Sequence, residues 1–165
     1  MTAHFLDSVW REAIRPEPQL TVSEWADAHR MLPGTASAPG RWRASSTPYL
    51  REVMDALSTA STWERVVLMK GAQLGATEAG LNWLGYVAHH APGPALLVMP
   101  SLAMVRRNTR TRIDPMIEAT PALRELVAPA RSRTAATTAF AKEFPGGALV
   151  LTGATRASAL RSPPA

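Results

Sequence analysis

Between Val66 and Gly80 the chain reads VVLMKGAQLGATEAG, and no other stretch restricts the possible folds as much. Four apolar residues, Val66 to Met69, give way to small residues around Gly71, Gly75 and Thr77, and an apolar, helix-permissive register resumes at Leu81, Trp83 and Leu84. The run is too short for a helix and is bounded by charge and glycine, so it reads as a buried strand. The helix expected from Thr77 to His89 packs its apolar side back on that strand.

The rest of the chain repeats the alternation. Pro92-Gly93-Pro94 is a turn, Ala95 to Met99 a second buried strand, and Leu102 to Ile113 a helix with a break at Pro115 and renewal through Leu126. Ala139 to Phe144 and Ala148 to Thr152, separated by Pro145-Gly146-Gly147, read as a hairpin. Each intervening helix is long enough for a crossover, so the expected fold class is α/β, a mainly parallel sheet with flanking helices. Upstream, Leu6 to Ile14 has weak helical periodicity, and Thr21 or Ser23 caps a second helix over SEWADAHRM. Pro33 to Gly40 is a small-residue loop, and Tyr49 to Leu57 a helix with Leu50, Val53, Met54 and Leu57 on one face. Residues 1–40 are expected to form a helical lead-in and residues 41–165 the body of the domain.

The loop at Lys70 has the outline of a phosphate cradle. In the pattern G-x-x-x-x-G-K-[ST], backbone N–H groups surround the phosphates, the lysine neutralises charge and the hydroxyl ligates magnesium. Aligned on Gly75 and Thr77, the chain has Ala76 where that lysine belongs and Lys70 where the first glycine belongs. Only two lysines exist, Lys70 and Lys142. A flexible ammonium does not need one fixed sequence position, so Lys70 can reach back over the phosphates from the other end of the loop. The helix N-terminus supplies the remaining donors. A Gly-Ala-rich turn also lets a helix pack closely on a strand, and the loop alone leaves both readings open.

Composition narrows the setting. An apolar content of 46% supports a globular domain. No run reaches the roughly 18 apolar residues that span a bilayer, which argues for a soluble, cytoplasmic protein with no membrane partner. There is no cysteine, hence no disulfide framework or thiolate metal site. Residues 1–100 hold 8 basic and 9 acidic side chains, whereas residues 101–165 hold 10 and 4, so the excess positive charge lies in the last third and can draw a polyanion. Arg106, Arg107, Arg110 and Arg112 read as a solvated helix face or, less favourably, a phosphate-facing row. His89-His90 lacks a third ligand at useful spacing and reads as a solvated helix end rather than a metal site. Trp25, Trp42, Trp63 and Trp83 read as packing residues.

Several segments in order resemble one family. Lys70 to Glu78, KGAQLGATE, is similar to the variant phosphate loop of lambda-like phage terminase large subunits. LTVSEWADAHRMLPG from Leu20, PGRWRASSTPYLREVMDAL from Pro39, HHAPGPALLVMPS from His89, TRIDPMIEATPALREL from Thr111 and FPGGALVLTGATRASALRS from Phe144 resemble successive stretches of the same N-terminal ATPase region. The resemblance implies a P-loop NTPase-like domain that binds ATP and Mg2+ through Lys70, Gly71, Ala72, Gln73, Leu74, Gly75, Ala76, Thr77 and Glu78, with Thr77 on the magnesium of Mg-ATP. It implies an adenine site around Pro48, Tyr49 and Arg51, with Tyr49 stacking on the base or packing in the core, and with Glu78 capping the first helical turn. Met99-Pro100-Ser101 and Thr152-Gly153-Ala154 would lie on the functional edge, at strand C-termini.

The implied parent couples ATP hydrolysis to packaging of double-stranded viral DNA and cleaves concatemers. Its implied partners are the terminase small subunit, the procapsid portal and further copies of itself, in the cytoplasm of a bacterium carrying a phage or prophage. Catalysis in this class also needs an aspartate at the end of an apolar strand. None of Asp7, Asp27, Asp55 and Asp114 follows such a strand, and the family places it just beyond a stretch like ALRSPPA. The expectation is therefore the front half of the ATPase domain, without the nuclease domain. The alternatives are an inactive remnant or nucleotide- or DNA-binding module without turnover, and a helicase-like ATPase of another system.

Overall fold

The computed structural model describes Trp10, residues 19–127 and residues 140–154. The helix expected over Leu6 to Ile14 and the RSPPA tail lie outside the described residues, Trp10 excepted.

Helix α1 (Val22–His29) starts where its sequence directs. The Thr21 hydroxyl accepts from the Glu24 N–H, and the Glu24 carboxylate accepts from the Thr21 N–H at 2.9 Å, a reciprocal capping box. Two short antiparallel strands follow, β1 (Met31–Leu32) and β2 (Gly40–Arg41), closing the Pro33 to Gly40 loop at its base. Arg41 donates to the Asp27 and Ala28 carbonyls at the end of α1. Two 3-10 turns, Ala44–Ser46 and Pro48–Leu50, lead into α2 (Arg51–Ala56). The long helix α3 (Ala76–His89) is buried around most of its circumference and forms the centre of the molecule. At Gly85 an added Cβ would lie 2.3 Å from the Trp25 ring, so the glycine lets the fully buried indole of α1 lie directly on the α3 backbone.

Strand β3 (Ala95–Met99) is followed by α4 (Leu102–Asn108), capped by Ser101, whose hydroxyl accepts from the Met104 N–H. A five-residue π turn, Thr109–Ile113, runs into α5 (Asp114–Ala119), and α6 (Pro121–Arg124) completes the helical layer. Pro115 therefore does not break the helix. It falls in the first turn of α5, directly after the π turn, and the helical backbone continues through it. The hairpin β4 (Ala141–Phe144) and β5 (Gly147–Gly153) turns through Pro145-Gly146, with Gly146 at φ 85°. Lys142 on β4 is buried and pairs with Asp114 of α5 at 2.7 Å.

The sheet order is β3-β5-β4, with β3 parallel to β5 and β4 antiparallel to it. The architecture is mixed α/β, with helices around a sheet that carries one parallel and one antiparallel pairing. Val66 to Met69, expected as a buried strand, is not one. No strand pairs with it among the described residues, and Val67 and Met69 are 83% and 97% exposed. Apolar composition makes a strand only where a neighbour completes its hydrogen bonds. Strand β3 is likewise buried on one face only: Leu97 and Met99 pack on the core, while Leu96 and Val98 are exposed.

Candidate functional site

The loop Lys70–Gly75 delivers the chain into the N-terminus of α3. Gly75 is the residue before the helix and sits in the left-handed region at φ 74°, and Gln73, a non-glycine, shares that region at φ 57°. Left-handed residues of this kind build the N–H-lined concavities that bind anions, and a non-glycine held there marks strain of a sort that gathers at binding sites. The Gly75 carbonyl accepts from the N–H groups of Glu78 and Ala79, whereas the N–H groups of Ala76 and Thr77 precede the intrahelical ladder. Gly71, Ala72 and Leu74 line the exposed outer side of the loop. Lys70 is exposed, and its ammonium donates to the Gly71 carbonyl at 3.1 Å, so the side chain already curls along the loop.

Beside the loop lies the Pro48–Leu50 turn. A Cβ on Gly75 would lie 3.1 Å from Leu50 Cδ1, which brings the segment expected to hold a base against the segment expected to hold phosphates. Tyr49 is 57% exposed and is not a core aromatic. Pro48 and Arg51 line an open groove of about 770 Å3 together with Trp63. Trp63, expected to be a packing residue, is 72% exposed, because the unpaired segment that follows it offers no core to enter.

Glu78 does more than cap a turn. Its carboxylate accepts from Arg30 at 3.2 Å and from Arg112 at 3.3 Å. Arg30 is 1% exposed, donates also to Asn82 Oδ1 and to the Met31 carbonyl, and is pulled below the ordinary arginine pKa by burial, with Glu78 pushing it back up. The sequence reading did not single out Arg30, which resembles an ordinary helix-end cation. The available signal was Asn82, a polar residue inside the apolar run LNWLGYVA that calls for a buried partner. The arginine row does not act as one surface: Arg106 lies over the Phe140 ring at 5.3 Å, Arg112 turns to Glu78, and Arg107 and Arg110 are exposed.

The C-terminal ends of β3 and β5 lie together, with Met99 opposite Gly153 and the Ala154 N–H donating to the Met99 carbonyl. A Cβ on Gly153 would lie 2.7 Å from the Leu102 nitrogen, so the two post-strand loops touch through backbone. His89 and His90 are not a solvated end. His89 Nδ1 accepts from the Trp25 indole at 3.1 Å and His90 Nε2 from the Leu20 N–H at 3.2 Å, fastening α1 to α3. No group of three potential metal-ligating side chains occurs among the described residues.

The family described as phage terminase large subunit gpA, ATPase domain, matches residues 36–165. The chain belongs to that family. It is also 31% identical over 114 residues to the terminase large subunit of Enterobacteria phage P21, an alignment covering 68% of this chain and 17% of that relative. No solved structure matches the chain. The gpA ATPase-domain assignment covers the loop, the Pro48–Leu50 turn and both post-strand loops, whereas α1 precedes the matched region. No helix among the described residues is long and apolar enough to cross a membrane.

Proposed function

We propose that this chain is the nucleotide-binding front part of a terminase motor ATPase, holding the phosphates of ATP on the Lys70–Glu78 loop and the N-terminus of α3. The observation that carries this reading is the left-handed Gly75 at the head of a 14-residue helix, with the Pro48–Leu50 turn against it. A helix start, a strained loop and an exposed lysine form a donor set suited to a polyphosphate. Magnesium would arrive with the nucleotide, bound by phosphate oxygens and the Thr77 hydroxyl, and would neutralise phosphate charge. Tyr49, Pro48 and Arg51 would meet the base.

The P-loop fold and the partial character of the domain belong to the same proposal. They are supported by the apolar Val66–Met69 segment and the outer face of β3, both of which call for further strands. The parent would couple hydrolysis to translocation of double-stranded viral DNA into a procapsid and cut concatemers. Its partners would be the small subunit, the portal and further copies of itself.

Titration of a fluorescent ATP analogue tests the binding. Lys70→Ala is expected to weaken affinity about ten- to hundredfold, the value of one charge-assisted phosphate contact. Ala76→Lys added to that variant restores part of the loss. Wild-type affinity in Lys70→Ala would show the loop to be a packing turn.

A further inference from the structure

The two arginines on Glu78 are not equivalent. Arg30 is sealed beneath the first turns of α3, with Asn82 and the Met31 carbonyl taking its other donors, and a carboxylate that left it would strand a buried cation. Glu78 is therefore fixed to Arg30. The Arg112 side chain is 48% exposed, and a solvated ion pair of that kind is worth little, so it can be exchanged at small cost. Arg112 stands on the π turn, a geometry rare along helices and frequent at functional sites. It also lines, with Thr77, the rim of a cavity of about 280 Å3 between α3 and β3. A half-free guanidinium thus lies beside the helix turn that carries the Thr77 hydroxyl, held by a carboxylate that cannot itself move away.

Resting on the reading of the loop as a phosphate site, we propose that Arg112 is a second nucleotide-binding cation, which Glu78 presents and which exchanges that carboxylate for a phosphate oxygen when ATP binds. Arg30 and Glu78 are then positioning residues: they hold Arg112 within reach without touching the nucleotide. An arginine suits the task because its fork can leave a carboxylate for a phosphate with similar geometry. The sequence offers four arginines in this stretch, and the structure separates Arg112 from the rest by its partner.

The test uses the 165-residue chain and a fluorescent ATP analogue at several salt concentrations. Arg112→Ala is expected to weaken binding about tenfold or more, leave the melting temperature unchanged and flatten the salt dependence of affinity. Arg112→Lys recovers part of the loss, which a purely structural role would not predict. Arg110→Ala, on the same turn but not paired with Glu78, is expected to bind as wild type. Wild-type affinity in Arg112→Ala, with Lys70→Ala still impaired, overturns the proposal and leaves the loop reading intact. Absence of binding by the unaltered chain overturns both.

Discussion

Leu50 and Gly75 meet across the base of the loop, with Leu50 Cδ1 3.1 Å from the position a Gly75 Cβ would occupy. Gly75→Ala therefore meets two penalties, the contact with Leu50 and a left-handed backbone at φ 74°. The backbone penalty alone is about 1–2 kcal/mol. The expected result is a lower denaturation midpoint together with weaker nucleotide binding. Adding Leu50→Ala removes the contact but not the backbone penalty, so stability should not return; recovery to wild type would show that crowding alone was at work.

Two glycines on α3 predict opposite outcomes for the same substitution. Gly80 has nothing within 4 Å of a built Cβ, so Gly80→Ala should stabilise the helix by about 1 kcal/mol through propensity alone. At Gly85 the Trp25 ring stands 2.3 Å from that position, and Gly85→Ala should destabilise the chain by roughly 1–3 kcal/mol as the indole is displaced. Urea denaturation of the two variants side by side decides the matter.

Lys142 and Asp114 give a third test. The lysine side chain is 4% exposed and the pair spans 2.7 Å. Asp114→Ala leaves a buried ammonium without its carboxylate and should cost about 3 kcal/mol, whereas Lys142→Met, which fills the same space without charge, should cost far less. Equal losses in the two variants would mean that the ion pair, rather than the stranded charge, sets the energy.

Acid should loosen the joint between α1 and α3. His29 lies 4.8 Å from His89, ring to ring, and its pKa is lowered from 6.5, first by burial, then by His89, His90 and Arg41. The unfolded chain therefore binds the proton more readily than the folded one, so stability is retained above about pH 6.5 and declines as pH falls from there through the lower folded value. The urea midpoint, followed from pH 7.5 to 5.5, should fall, and His29→Gln should reduce the slope. A flat profile in the unaltered chain would contradict the cluster's role.

Much of this arrangement is written locally. The Thr21 and Glu24 box, the Pro145-Gly146 turn and the strand-like Ala95 to Met99 each follow from residues within a few positions of one another, and each stands where the pattern puts it. The family was legible in the order of several segments. What escaped was non-local. Val66 to Met69 has strand composition, yet whether it pairs depends on a neighbour that its own residues do not specify. Arg30 and Glu78 are 48 residues apart, and neither carries a mark of the other apart from the misplaced polarity of Asn82. Arg112 is one of several arginines in a basic run until the π turn selects it.

The strand order has a consequence for how the chain acquires its shape. Among the described strands, β5 comes last in sequence but lies in the middle of its sheet, and both β3 and β4 are bonded to it. During synthesis, the pairing of Ala95 to Met99 with Gly147 to Gly153 must therefore wait for β5, and the segment that carries α4 to α6 must close back first. The helical layer meets the same cost, since Trp25 reaches His89 across 64 residues and Met31 reaches Thr120 across 89, so both layers form through non-local closures. Substitutions along β5 and at the joint between α1 and α3 should consequently both appear in refolding rates as well as in equilibrium stability.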